Sequence, residues 1–380
     1  MRVLHLWDNY APGLFDQTLA ICAEEGIEAA LVAMNWIDRG VEPPPTMHFV
    51  RRTGGESASG GILSRARQKL GTLVAERRFR ALIRREIRRF RPDLLHIHYG
   101  TTGAILASIK SAMRLPFIVS FYGFDISQGV RIARIRRAYR RLMQRRPLVH
   151  VLCDEARERA LALGADPARI VDANLPLPVE HYPDLGVPGP VTRWLIPARF
   201  VEKKGHDVAL RAFRLHLADH PGDRLTCWGY GDARWLEKRI ADYGLTQEVD
   251  VIDNRGAGDF DAAYIEQLRR HEAVLAPSVR SNRGDDEGGP ALTAVLAQVA
   301  GMPVILSDFP GSERSVSDGV EGFIVPQGDP VALSEAMHRL ASDLEAARRM
   351  GAAGRGRSTR EFGRAAFREA LVGWYGALCQ

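Results

Sequence analysis

Cysteine is scarce. Cys22, Cys153, Cys227 and Cys379 are the only four in 380 residues, and no two form a CxxC pair. That argues against a disulfide framework and a cysteine-based structural zinc, and for a reducing compartment. A signal peptide is not expected either, because the opening MRVLHLWDNY meets Asp8 before a long apolar run develops. One uncharged stretch, residues 288–307, is long enough to suggest a membrane span. Pro290, Gln298, Gly301 and Pro303 interrupt it, so it reads as a buried helix followed by a buried strand. Internal repeats and low-complexity tracts are absent as well.

What remains is the composition of a soluble globular protein, 46% hydrophobic and 26% charged, long enough for two domains of about 150–200 residues. Charge is unevenly placed. Residues 1–185 hold 28 Lys and Arg against 19 Asp and Glu, whereas the remainder holds 24 against 27. A basic first half and a slightly acidic second half suggest domains with different partners. Residues 65–91 carry eleven Lys and Arg, with Phe79, Ile83, Ile87 and Phe90 at helical spacing. Residues 131–146 carry eight Arg and no acid. Both predict helices with a solvated Arg face; the sharper reading is a face for an anionic membrane or acceptor.

Short apolar runs at 3–7, 28–33, 93–98, 117–121 and 148–152 alternate with helical patterns, the signature of a doubly wound parallel sheet. Residues 43–61 read as an irregular loop. Residues 174–190 contain Pro176, Pro178, Pro183, Pro188 and Pro190 and read as a stiff linker. The alternation then restarts, with strands at 193–198, 224–228, 249–252, 272–276, 304–307 and 323–325. The fold class is therefore α/β, with two Rossmann-like doubly wound sheets and a cleft between their carboxyl edges, where ligands bind.

The stretch from Pro277 to Asp308 organises the candidate chemistry. A polar loop, 278–287, ends at Glu287, and Gly288-Gly289-Pro290 then opens an apolar helix, with Pro290 expected in the first turn. Free amides and a helix dipole there favour an anion or sugar hydroxyls. Arg199 and Lys204, five apart across a turn, can converge on a diphosphate. Gly229-Tyr230-Gly231 is a GxG turn, but Arg234 stands where the third glycine of a dinucleotide fingerprint belongs. Asp285 and Asp286 suggest a hydrolase pair or metal ligands only weakly, being adjacent on one loop. His96 and His98 share one strand face; His98, at the strand end, is the better ligand candidate. Tyr122-Gly123-Phe124-Asp125 follows another strand end.

These motifs resemble, along nearly the whole chain, the retaining glycosyltransferases of family 4 with the GT-B fold. ARFVEKKG resembles the family's Arg…Lys-Gly motif, GDDEGGPALTAVLAQVAGMPVI its paired-Glu region, and SDGVEGFIVPQGDPVALSEAMHRL its closing segment. RPDLLHIHYG and SFYGFD resemble its first-domain strand ends. Three departures stand out. The second Glu is replaced by Val295 or Leu296, the usual His-Gly is Tyr122-Gly123, and the N-terminal loop keeps only Gly13 after Pro12.

The resemblance implies an acceptor domain at 1–184, a donor domain at 185–359, and a helix at 360–380 returning to the first. It implies transfer, without metal or other cofactor, of a sugar from a UDP- or GDP-linked donor to a glycan or lipid-linked acceptor in polysaccharide or cell-envelope synthesis. Arg199, Lys204 and Glu287 are the expected catalytic residues. Gly13, Gly231, Gly288, Gly289 and Pro290 are expected on the donor side, and His98, Tyr122 and Asp125 on the acceptor side. The expected location is cytoplasmic, at the inner membrane face, touched through the Arg-rich helices. The alternatives are a binding protein with a decayed donor site and a basic nucleic-acid binder, for which no motif is present.

Overall fold

The computed structural model describes residues 1–10, 16–37, 47–53 and 62–379. They form two compact units, Met1–Pro176 with Arg364–Gln380, and Leu177–Gly363.

The first unit is built on seven strands: β1 (Arg2–Tyr10), β2 (Glu28–Ile37), β3 (Met47–Thr53), β4 (Leu94–His98), β5 (Phe117–Ser120), β6 (Leu148–Val151) and β7 (Ile170–Asp172). All pair in parallel, in the order β3-β2-β1-β4-β5-β6-β7. Every residue of β4, β5 and β6 is buried, as expected of a parallel sheet covered on both faces. One face packs Leu95, Ile97 and Val119 in a core with Phe79 and Ile83 of the helix Ile62–Phe90. That helix turns its anticipated apolar stripe inward and leaves Arg77, Arg78, Arg84, Arg85, Arg88 and Arg89 exposed. In another core cluster, Phe367, Leu371, Trp374 and Tyr375 of the helix Arg364–Cys379 join Val3, Ile21, Leu94 and Ile118. Burying each such large side chain contributes about 1.5–3 kcal/mol.

The second unit has six parallel strands: β8 (Arg193–Pro197), β9 (Arg224–Gly229), β10 (Val249–Asp253), β11 (Ala273–Ala276), β12 (Val304–Ser307) and β13 (Gly322–Val325). Their order is β10-β9-β8-β11-β12-β13. Each sheet reverses its winding once, at β1/β4 and at β8/β11, and in such sheets ligands bind outside the carboxyl ends at the reversal.

Three sequence expectations need correction. The loop expected at 43–61 contains β3, an edge strand whose only fully buried described side chain is Met47, so it lacks the apolar run that announces a strand. β7, with one buried residue of three, gave no such signal either. The proline-rich segment does carry the boundary between the units, at Pro176/Leu177, but from Leu177 on it is bonded into the second unit. Leu177 N–H donates to Phe362 O (2.8 Å), Leu185 N–H to Ala300 O (2.9 Å), and Tyr182 OH to Asp261 (2.8 Å), while Val187 joins the second core. Among the described residues no helix is long and apolar enough to cross a membrane.

Candidate functional site

Beyond β8 the chain makes a 3-10 turn, Glu202–Lys204, and then Gly205 at φ 68°. A Cβ on Gly205 would lie 1.7 Å from Pro277 O, so only glycine lets the turn close against the end of β11. Val279 N–H donates to Lys203 O at 2.8 Å, joining the turn to the polar loop. The two segments that carry the expected cations and carboxylate are thus locked together at the β8/β11 reversal.

Glu287 Oε1 accepts from Lys204 Nζ at 2.6 Å and from Ser278 Oγ at 2.9 Å. Lys203, nearly buried, places Nζ 3.8 Å from Glu287 Oε2 and 3.4 Å from Asp285 Oδ2. Asp286, fully buried, accepts from Arg280 Nε (2.9 Å) and from the Glu287 backbone N–H (2.9 Å). Asp285 and Asp286 thereby hold the loop. Burial pushes the Glu287 carboxyl up, but the Lys204 and Lys203 charges and the hydrogen bonds from Lys204 and Ser278 outweigh it, bringing the pKa to about 2. Glu287 is a fixed anion at neutral pH.

Arg199 lies just beyond β8, exposed, and its guanidinium has no ion pair or side-chain hydrogen bond among the described residues. The structure therefore brings Lys204 and Glu287 together and leaves Arg199 as an uncommitted cation on the same strand end. Lys203 and Ser278 were missed in the sequence. The signal was there, in two consecutive lysines opposite a strand-end serine, but which lysine turns inward depends on the 3-10 geometry.

The helix after the glycines begins at Leu292, with Ala291 as its N-cap, so Pro290 precedes the first turn instead of lying in it. The Gly289 N–H is also not open. It donates to Pro310 O at 3.1 Å, with Gly289 at φ 158°. Val295 and Leu296, where the family's second Glu is expected, are both fully buried. Gly231, at φ 141°, forms a bridge with Phe200, and a Cβ there would sit 3.1 Å from Phe200 O. Gly13 lies outside the described residues.

In the first unit, strand pairing sets His5 beside His96, Trp7 beside His98, and Ser120 between His98 and His150. The result is a buried polar chain. His98 bonds Tyr122 OH through Nδ1 (2.7 Å) and His5 through Nε2 (3.0 Å). His96 bonds Tyr375 OH (2.7 Å) and Ser120 Oγ (3.0 Å), and Ser120 Oγ also bonds His150 (3.0 Å). Burial holds His5, His96 and His98 neutral, well below the usual histidine pKa.

His98 is consequently not an open ligand contact; both its ring nitrogens are committed. Asp125 is fully buried and accepts the backbone N–H groups of Gly100 (2.7 Å), Tyr122 (3.1 Å), Gly123 (3.0 Å) and Ile126 (3.2 Å). Burial outweighs those bonds and raises its pKa to about 6. The expected acceptor-side trio is brought together, but as a mutually satisfied scaffold with only Tyr122 half-exposed. Asp8, at the end of β1 and bonded to Thr101 Oγ1 at 2.6 Å, is a carboxylate on that edge that the sequence reading did not single out.

Comparison with known proteins agrees with this architecture. A glycosyl transferase 4-like domain model matches residues 16–171, and a glycosyl transferases group 1 model matches residues 184–357. WcaL of Salmonella typhimurium, a glycosyltransferase assigned to colanic acid biosynthesis, is 26% identical over 64% of this chain and 60% of its own length. The amylovoran biosynthesis glycosyltransferase AmsK of Erwinia amylovora is 26% identical over 66% of this chain and 62% of its own. The chain thus spans about three fifths of these two relatives. The crystal structure of Anabaena HepE in complex with UDP shares the fold, with a TM-score of 0.74 at 14% identity, covering 99% of this chain and all of HepE. With both domain models matched in order and each unit an open parallel sheet, the chain belongs to the GT-B glycosyltransferases of family 4 type.

Proposed function

We propose that the chain transfers a sugar from a nucleoside diphosphate to a hydroxyl of a glycan or lipid-linked acceptor, with retention at the anomeric carbon. The observation that carries this reading is the Lys204–Glu287 pair at the β8/β11 reversal, with the uncommitted Arg199 at the end of β8. When the sugar–diphosphate bond breaks, charge grows on the leaving diphosphate. Arg199 and the protons of Lys204 not given to Glu287 would meet that charge. Glu287, locked as an anion, would accept bonds from the sugar hydroxyls and hold the donor for attack on the face from which the diphosphate departs. In this reading two cations, Lys204 held by Glu287 and Arg199 free to reach the anion, do the work of a metal, so activity should persist in chelator. Gly231, Gly288, Gly289 and Pro290 would shape the donor pocket. Tyr122, set by His98 and Asp125, would present the acceptor side.

The setting proposed is polysaccharide or cell-envelope assembly in the cytoplasm. The names of WcaL and AmsK support the first part, and HepE structures with UDP and with UDP-glucose support a nucleotide-sugar donor. The exposed Arg faces of the helices Ile62–Phe90 and Ala133–Met143 would rest on anionic lipid, with domains of 1–184, 185–359 and 360–380.

The test is a panel of UDP- and GDP-sugars, each assayed for diphosphate release with and without chelator. Release from one donor, lost in Arg199→Ala and Lys204→Ala, supports the reading. The apolar Val295 and Leu296 favour a second reading, a donor site that binds without turnover. Calorimetric binding of UDP or GDP with no release from any sugar would select it.

A further inference from the structure

We propose that a second, non-catalytic site, formed by His216, His220 and His338 with Asp223 behind them, binds a divalent transition cation of the zinc class. It lies wholly in the second unit. His216 closes the helix His206–His216, and His220 N–H donates to His216 O at 3.1 Å, so the helical path continues far enough to put both rings on one side. The rings lie face to face, centroids 4.4 Å apart and planes 12° apart. His338, on the helix Pro330–Ser342, places Nδ1 3.1 Å from His220 Nε2.

The tautomer of His216 is the main argument. Its Nε2 lies 2.8 Å from Asp223 Oδ2, which also accepts Trp194 Nε1 at 2.9 Å. A carboxylate only accepts, so Nε2 carries the proton and Nδ1 keeps its lone pair. That Nδ1 is buried and has no hydrogen-bond partner. An imidazole whose far N–H is held by a carboxylate and whose near nitrogen is open is how proteins prepare a metal ligand.

His216, His220 and Asp223 gather one nitrogen or oxygen each within 4.8 Å of one another, and His220 Nε2 carries the cluster on to His338 Nδ1. Around a tetrahedral zinc with bonds of about 2.0–2.1 Å, ligand atoms stand roughly 3.3 Å apart. His220 and His338 are already near that separation, and His220, half-exposed in the turn after the helix, has room to swing its ring edge toward His216 Nδ1. The proton between His220 and His338 moves to an outer nitrogen, where Ser342 Oγ stands 3.5 Å from His338 Nε2, so neutral rings lose no proton on binding. Imidazole donors select zinc, nickel or copper over magnesium or calcium. Asp223 directly precedes β9, so the site is at the amino edge of the sheet, opposite Lys204 and Glu287. A bound ion would tie the helices His206–His216 and Pro330–Ser342 together there.

The experiment titrates the metal-stripped full chain with zinc by calorimetry and with cobalt by visible absorption. One equivalent is expected, with the intense cobalt bands of four-coordination and a zinc-dependent rise in Tm. His220→Ala and His338→Ala, at positions exposed enough to spare the fold, should each weaken binding about 100-fold and abolish the Tm rise; Asp223→Asn should weaken it about 10–100-fold. No uptake by the parent chain overturns the proposal. So does uptake that survives both alanine variants, which would place the ion elsewhere, for example at His5, His96 and His98.

Discussion

Lys204 Nζ stands 2.6 Å from Glu287 Oε1, joining two loops 83 residues apart in the chain. The pair is anchored from both sides, since Gly205 seats the lysine turn on Pro277 while Ser278 and Asp286 fix the glutamate. An ammonium has three protons, and this contact uses one. Two remain for an incoming anion at a position set before the anion arrives.

Replacing Lys204 by Met keeps the volume and removes those donors. Turnover in a diphosphate-release assay should fall about 10²–10³-fold, equivalent to about 2.7–4 kcal/mol of transition-state binding, with far-UV circular dichroism unchanged. Near-normal turnover would remove Lys204 from the chemistry.

Glu287 should leave a signature in acid stability. Its folded pKa, about 2, is below the ordinary 4.5, so the unfolded chain binds more protons between those values. The pair's contribution is present above about pH 4.5 and is lost as pH falls toward 2. In denaturant titrations from pH 7 to 3, Glu287→Gln should be the less stable protein at neutral pH, and the gap should narrow with acid. A constant gap would contradict the pairing.

Asp125 has the opposite sign. Its folded pKa, about 6, is above the ordinary 3.8, so the folded chain holds the extra proton. Its contribution is present below 3.8 and is lost as pH rises through 6. Asp125→Asn should flatten that dependence. It should also cost about 1–3 kcal/mol, because the amide N–H₂ that replaces Oδ2 cannot accept from the Gly100 N–H, while Oδ1 keeps the bonds from Tyr122, Gly123 and Ile126. Equilibrium unfolding at several pH values would check both.

Tyr375→Phe removes the hydroxyl bonded to buried His96 and leaves the ring in place. The orphaned nitrogen should cost about 1–3 kcal/mol. Hydrogen exchange should quicken in β1, β4 and β5, with the second unit unaffected.

Much of the fold was legible because parallel strands covered on both faces must be apolar runs, and those of β4, β5, β11 and β12 stand out. β3 did not, since an edge strand reading MHFVRRT buries too little to show the pattern. In the candidate site, residue types were legible and directions were not. Lys203 and Lys204 are equivalent as letters, and the turn alone makes one a loop anchor and the other the partner of Glu287. Asp125 looked like a ligand contact because an acid at a strand end usually faces solvent; its inward turn depends on amides from two segments. The row of histidines became visible only through strand register, which brings β1, β4, β5 and β6 side by side although they are far apart in the chain.

The first unit is not continuous in the chain, because its core needs Trp374 and Tyr375, made after all of residues 177–363. During synthesis the second unit, an unbroken stretch, has all its parts while the first still shows Val3, Ile21, Leu94 and Ile118 to water. The half translated first is therefore the half completed last, and a ribosome stalled before Arg364 would display a sticky, half-clothed sheet to chaperones.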